Sequence, residues 1–148
     1  MKTAFLYNFT KFVEWPDTTN ANTRFIIGIV GEDPFGKGLD DAVKSETVRG
    51  RPIVIQRLKS GDKLPACDIL FISRSERDNF ETILNSVEEF PVLTVADLPG
   101  AAAKGAMVNL LVVQGSVKME INRHEAERAH LQISSKLLGL AKIVESDK

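Results

Sequence analysis

The side chains that could carry out covalent chemistry are few and scattered along the sequence. His124 and His130 lie six residues apart in a predicted helical region, so they occupy different faces and do not form a shared metal site. The single cysteine, Cys67, begins a predicted buried strand with no histidine near it in the sequence. This setting is typical of a small apolar core residue rather than of a nucleophile. We predict that the protein is not an enzyme and that it uses no metal and no cofactor.

Two further patterns associated with catalysis or ligand binding are weak here. The acidic pairs Asp40-Asp41 and Glu88-Glu89 fall at predicted helix ends or loops, where adjacent carboxylates are usually solvated surface. The loop after the first predicted strand, residues 31–36, lacks both glycine-rich phosphate-binding motifs. Neither hydrolysis nor phosphate binding is therefore favoured.

A small-ligand site is nevertheless expected in one place if the protein has one. In open α/β sheets, ligands bind outside the carboxyl ends of the parallel strands. The candidate ligand-binding residues at these ends are Gly31, Asp33, Ser73, Arg74 and Asp97. Ordinary helix capping and turn formation are the alternative use of the same side chains.

The elements that position these residues alternate between strands and helices. Apolar runs predict strands over 24–30, 52–58, 67–73, 91–96, 107–113 and 117–121. Amphipathic spacing and capping residues predict helices over 3–14, 34–44, from Ser75 or Asp78 to 87, over 122–130 and over 134–144. This order predicts an α/β fold in three layers, with a mostly parallel central sheet, an antiparallel hairpin near one edge and helices on both faces.

Two points of the topology stay open at this level. The link at residues 59–66 is short for a parallel crossover, so either it passes compactly over the sheet or the strand before it is antiparallel. The first helix is rich in aromatic residues, which predicts docking into the core, and a partner-binding aromatic face is the alternative.

Composition bounds the class of protein. The chain has 148 residues, of which 43% are hydrophobic and 26% are charged, and its formal net charge is -1. These values predict one folded domain over residues 1–148 and disfavour a nucleic-acid partner. No apolar run is long enough to cross a bilayer, and one cysteine excludes an internal disulfide. Residues 1–14 lack the features of a signal peptide, so we expect any such leader to be absent from this sequence.

Five stretches of the sequence together resemble one family. They are residues 2–16 (KTAFLYNFTKFVEWP), 67–73 (CDILFIS), 105–110 (GAMVNL), 120–122 (EIN) and 133–138 (ISSKLL). In this order they resemble the YfiR-like family, and the likeness covers essentially the whole chain.

The resemblance implies a bacterial periplasmic protein that is made with a cleaved signal peptide. It also implies a regulator that binds and represses an inner-membrane signalling protein, namely the periplasmic part of a diguanylate cyclase, and so lowers cyclic di-GMP signalling. Homodimers are a further family expectation, with the terminal helices as an interface. The identity of the membrane partner does not transfer automatically, and a periplasmic small-ligand sensor or carrier is the alternative function.

One departure from the family bears on regulation. Redox-regulated members carry further cysteines, one of them near the stretch that matches residues 101–105, whereas this chain has alanines there and keeps only Cys67. The resemblance therefore does not extend to a disulfide switch.

Overall fold

The computed structural model describes residues 2–16, 24–64 and 66–146. Its helices are α1 (Lys2–Phe12), α2 (Lys37–Val43), α3 (Phe80–Val87), α4 (Arg123–Arg128) and α5 (Ser135–Leu138), and a 3-10 helix (Arg74–Asn79) leads directly into α3. Its strands are β1 (Val13–Glu14), β2 (Phe25–Val30), β3 (Thr47–Val48), β4 (Arg51–Leu58), β5 (Ile69–Ile72), β6 (Leu93–Ala96), β7 (Val108–Val113), β8 (Ser116–Ile121), β9 (Gln132–Ile133) and β10 (Lys142–Ile143).

A curled, mostly parallel sheet organises the fold. Its strand order is β10-β8-β7-β6-β5-β2-β4-β3, and the five strands β7-β6-β5-β2-β4 run parallel to one another. The strands β8 and β3 run antiparallel to β7 and β4, and β1 pairs separately with β9. The predicted α/β class, with a mostly parallel sheet and an antiparallel hairpin near one edge, is confirmed.

Each face of the sheet carries its own apolar core, and helices cover both faces. On one face, Leu6 and Phe9 of α1 and Leu39 of α2 are fully buried against side chains of the sheet. On the other face, Phe80, Ile83 and Val87 of α3 pack against another set of strand residues. Because β2, β5 and β6 are covered on both sides, every residue in them is buried, which explains their continuous apolar sequences.

The first helix docks into the core as its aromatic residues predict. Phe9 is completely buried, and Phe5, Tyr7 and Phe12 pack around the same cluster. The helix ends at Phe12 rather than at the predicted residue 14, because the next two residues leave it to pair with β9.

The link after β4 resolves the first open point of the topology. Strands β4 and β5 are both parallel to β2 and lie on opposite sides of it. The connecting segment, described over 59–64 and 66–68, therefore passes across one face of β2, which is the compact alternative. We call this segment the crossover.

Two predicted helix starts need correction. The helix predicted from residue 34 begins at Lys37, because Asp33 accepts a hydrogen bond from the Phe35 amide in a local turn and Gly36 has a φ of 59°. The helix predicted from Ser75 or Asp78 begins at Phe80 and is preceded by the 3-10 helix, whose N-terminus is capped by the Ser73 side chain.

The last predicted helix, over 134–144, is wrong in length. Ser134 does cap a helix, but α5 ends at Leu138, and Lys142 and Ile143 join the sheet beside β8. The Val144 amide donates to the Ile121 carbonyl at 2.9 Å. Hydrogen bonds to the open edge of β8 thus replace a further helical turn, and Leu140 is left 77% exposed. By contrast, the Asn122 cap is confirmed, although its helix stops at Arg128.

No helix within the described ranges is long and apolar enough to span a membrane.

Candidate functional site

The predicted strand-end residues gather at the carboxyl edge of the sheet. The Arg74 amide donates to Asp97 Oδ1 at 2.7 Å, and its guanidinium Nε lies 3.7 Å from Asp97 Oδ2. Gly31 abuts the turn that follows β5, and a Cβ added there would lie 3.1 Å from the Ser73 Cβ. Four of the five predicted residues therefore belong to one cluster.

The fifth residue, Asp33, faces a different partner. Arg57 Nε donates to Asp33 Oδ2 at 2.6 Å, and the same guanidinium also binds Asp40. Partial burial acts to raise the pKa of Asp33, but the hydrogen bonds from Arg57 and from the Phe35 amide outweigh it, so the pKa lies below its ordinary value. The ion pair between Arg57 and Asp40 joins β4 to α2.

The strand-end cluster makes capping, turn and ion-pair contacts within the chain. Ser73 is buried and caps the 3-10 helix, and Ser75 accepts from the Glu32 amide at 2.9 Å. None of the five predicted residues borders either of the two cavities defined by the described residues. Ligand binding at this cluster stays a prediction.

The larger cavity, of about 1270 Å³, lies elsewhere, and we call it the crossover groove. One wall is the crossover, and the facing wall is formed by the 3-10 helix and α3 through Glu76, Asn79, Thr82, Ile83, Ser86 and Val87. The groove opens at the amino ends of the strands, where Trp15, Phe25 and Arg51 border it. A smaller cavity of about 450 Å³ lies beyond α3 and includes His124.

A compact polar network fixes the amino end of the groove. Asp68 is 7% exposed, and its Oδ2 accepts from the Ile26 amide at 2.9 Å and from Arg51 Nη2 at 2.8 Å. Trp15 Nε1 donates to the Asp68 carbonyl at 2.9 Å, and the Trp15 ring packs edge-on against Phe25. This network ties the end of the crossover to the start of β2.

Cys67 lies in the crossover wall, next to this network. Burial raises the pKa of its thiol to about 12, and the charge of Asp68 adds to the increase. The thiol therefore stays protonated at neutral pH, which agrees with its interpretation as an unreactive packing residue. Ala101 and Ala102 are fully buried, and Ala101 packs in the core on the α3 face.

Two polar atoms at the groove lack partners. Among the described residues, Arg51 Nε and Glu76 Oε1 are the buried side-chain nitrogen or oxygen atoms without a hydrogen bond, and both residues border the groove. Sequence reasoning missed both. Nothing in the local pattern distinguishes Glu76 from a solvated acid at a helix start, because its burial depends on how the 3-10 helix lies over Gly31.

A second exposed feature is the end of the β7–β8 hairpin, residues 111–118, which we call the hairpin arm. Strand β6 pairs with β7 at Val108 and Asn109, and β10 pairs with β8 at Glu120 and Ile121. In the part of the chain that the structure describes, the arm is therefore a two-stranded ribbon with both outer edges unpaired. Val112 and Val113 are each 45% exposed on it.

The described ranges contain no cluster of side chains of the kind that holds a metal ion. His124 and His130 are both exposed, and no group of three or more metal-ligating side chains occurs among residues 2–16, 24–64 and 66–146.

These features define an α/β protein whose notable surfaces, a deep groove and an apolar strand ribbon, suit contact with another molecule. The family model described as YfiR/HmsC-like matches residues 1–142, and the chain belongs to that family. The resemblance seen in the sequence is thereby confirmed. Members of this family act as periplasmic regulators, so regulation is the general role of this chain. The sequence matches no curated protein.

Proposed function

We propose that the protein is a non-catalytic periplasmic regulator that binds and represses a membrane signalling protein by direct contact. Family membership supports the regulatory role, and the hairpin arm is the structural observation that carries the contact mechanism. The proposed partner is the periplasmic part of an inner-membrane diguanylate cyclase, as the family resemblance implies, and the proposed active form is a homodimer.

The hairpin arm suits protein contact for two reasons. An apolar ribbon with unpaired edges gains both buried area and main-chain hydrogen bonds when a partner strand or loop lies against it. Of the five large apolar residues that are exposed in the described ranges, four lie in β7, in β10 or in the turn before β10, all at one end of the sheet order. These are Val112, Val113, Leu140 and Ile143.

The proposed homodimer does not have the terminal helices available as a large apolar surface. Phe9 and Leu137 lie in the protein's own core, and the other aromatic residues of α1 pack against that core. The burial of these side chains therefore argues against the terminal helices as the contact surface of the homodimer.

The binding experiment uses the periplasmic domain of the membrane protein encoded beside this gene. We expect a complex with a dissociation constant of about 1 µM or below by titration calorimetry. Val113→Asp is expected to weaken it by about tenfold or more, because it buries a charge in the interface. Phe90→Ser is the matched control, since Phe90 is 59% exposed on another surface. Equal effects of the two substitutions, or no complex at high concentration, would contradict the proposal.

A periplasmic small-ligand sensor or carrier is the second candidate function, favoured by the clustering of Arg74 and Asp97 at the strand ends. Calorimetry with small metabolites tests it. Binding that is lost in Arg74→Ala, but kept in a variant altered far from the cluster, would support this function. Binding that survives Arg74→Ala would remove the strand-end site.

A further inference from the structure

We propose that the crossover groove binds an organic ammonium ligand with an apolar body, and that Glu76 receives its charged nitrogen. The proposal is independent of the proposed repression, because it concerns a different surface. It depends on three observations: the size of the groove, the unpartnered carboxylate oxygen in its wall, and the apolar character of the residues between its two ends.

Glu76 is held rigidly where it borders the groove. The residue is 5% exposed and lies in the 3-10 helix, where its amide donates to the Ser73 carbonyl at 2.9 Å. Its side chain packs over Gly31, which has a φ of 92°, and a Cβ at Gly31 would come within 2.8 Å of Glu76 Cγ. Glycine at this position thus makes room for the glutamate.

One oxygen of the buried Glu76 carboxylate has no hydrogen-bond donor. Oε1 has no hydrogen-bond partner, and no ion pair found among the described residues involves Glu76. An ionised carboxylate accepts hydrogen bonds only, and leaving a buried oxygen unpaired costs free energy that a donor recovers. A cationic nitrogen supplies both the donor and the opposite charge, so it is the chemistry that this end of the groove selects.

Buried apolar residues in the groove favour a ligand with an apolar body. Val30, Ile83, Val87 and Val92 border it as apolar residues that are each less than 10% exposed. Asn79, Thr82 and Ser86 recur along the 3-10 helix and α3 at helical spacing, adding a stripe of neutral polar groups. The other acids that border the groove are Glu14, Asp62 and Asp68, of which Asp68 binds Arg51 and Asp62 accepts from the Lys59 amide.

The groove is large enough to hold an elongated ligand. The volume of about 1270 Å³ exceeds the roughly 300–1,000 Å³ typical of small-molecule pockets. The far end holds Arg51, whose Nε is the other unpartnered buried atom. A chain running from Glu76 towards Arg51 would follow the length of β2, which is about 20 Å for six residues.

Three probes of equal chain length test the recognition of charge in the intact protein. They are n-octylammonium, n-octanol and n-octanoate, each titrated by calorimetry below its micelle-forming concentration. We expect n-octylammonium to bind about tenfold more tightly than n-octanol, because only the ammonium adds a charge-assisted hydrogen bond to Glu76. n-Octanoate is expected to bind most weakly, since Glu76 repels its charge and the charge of Arg51 at the other end is already paired with Asp68.

Matched variants locate the effect. Glu76→Gln keeps the shape of the side chain and is expected to reduce the preference for the ammonium to about threefold or less. Glu127→Gln, at an exposed acid on α4, is expected to leave all three affinities unchanged. Ser86→Trp places a large ring in the groove and is expected to abolish binding of every probe.

The wild-type titrations alone can overturn the proposal, whether or not the variants fold. Equal binding of n-octylammonium and n-octanoate would show that Glu76 selects no charge. An absence of binding by all three probes at millimolar concentration would show that the groove is not an amine site. Ammonium binding that persists in Glu76→Gln and Ser86→Trp would place the site elsewhere and equally overturn the assignment.

Discussion

The strand-end cluster and the crossover groove lie on either side of the same 3-10 helix, yet they differ in how their polar groups are used. At the strand ends, Arg74 binds Asp97 and Ser73 caps the helix, so the chain supplies partners for the groups that gather there. In the groove, Glu76 Oε1 and Arg51 Nε are buried without partners beside open volume. The position of polar residues at strand ends therefore identifies a cluster, whereas binding capacity depends on which polar atoms are still unsatisfied.

The largest expected effect concerns the apolar core under α1. Phe9 is completely buried in that core, and Phe9→Ala is expected to lower the free energy of unfolding by about 3–5 kcal/mol, because it leaves a cavity. Chemical denaturation measures the change. Phe90→Ala, at a ring 59% exposed on the rim of the groove, is the control and should cost less than about 1 kcal/mol. Similar losses of unfolding free energy in Phe9→Ala and Phe90→Ala would contradict the placement of Phe9 in the apolar core.

Gly31 connects the two regions, and its replacement gives the next largest effect. Gly31→Ala is expected to destabilise the protein by about 2 kcal/mol or more, because its φ is 92° and the new Cβ would meet Ser75 Oγ at 2.5 Å. Gly100→Ala is the matched control, since its φ is 78° but nothing lies within 4 Å of the added Cβ. The difference between the two losses of stability measures the cost of the steric contact at Gly31. Equal costs would mean that the turn can move away from the 3-10 helix.

Replacing Glu76 is expected to raise stability, unlike the two substitutions above. Glu76→Met replaces a buried, unpartnered acid by an apolar side chain of similar length, and it is expected to stabilise the fold by about 1 kcal/mol. The midpoint temperature of thermal unfolding should rise by about 2–4 °C. Arg74→Met is the comparison at the strand ends, and it should give no gain because Arg74 binds Asp97 there. A clear loss of stability in Glu76→Met would show that the carboxylate has an internal role.

The smallest effect concerns pH. The pKa of Asp33 is lowered in the folded protein, so its ionised form adds stability above the unfolded pKa of about 4, and this contribution is lost as pH falls through the lower folded value. We expect a loss of about 1 kcal/mol at most, since the Arg57 partner is 39% exposed. Asp33→Asn should remove this part of the acid dependence in unfolding curves recorded between pH 5 and pH 2. An unchanged acid profile in that variant would contradict the role of the Arg57 contact.

The central strands could be predicted from sequence because their burial on both faces leaves apolar runs with few alternatives, as in β2 and β5. The end of the chain could not, because Leu137, Leu140 and Ala141 fit an amphipathic helix equally well. Only the unpaired edge of β8 draws Lys142 and Ile143 into the sheet. The crossover was left open for a similar reason, since its path depends on where β5 lies relative to β2.

The strand-end cluster and the groove also differ in how far the sequence predicts them. Residues at the carboxyl ends of strands follow from topology, so four of the five predicted residues do come together. The groove residues do not follow from topology. Glu76 and Arg51 are separated in sequence, each has an ordinary local context, and their lack of partners arises only from tertiary packing.

The central claim is that the protein represses its partner by contact and not by turnover. The most direct measurement is the output of the membrane partner, in vesicles that expose its periplasmic part, as purified regulator is added. The account predicts that output falls in proportion to added regulator and reaches its minimum near one regulator protomer per partner chain. Full repression by trace amounts that act progressively with time, or output unchanged by excess regulator, would contradict it.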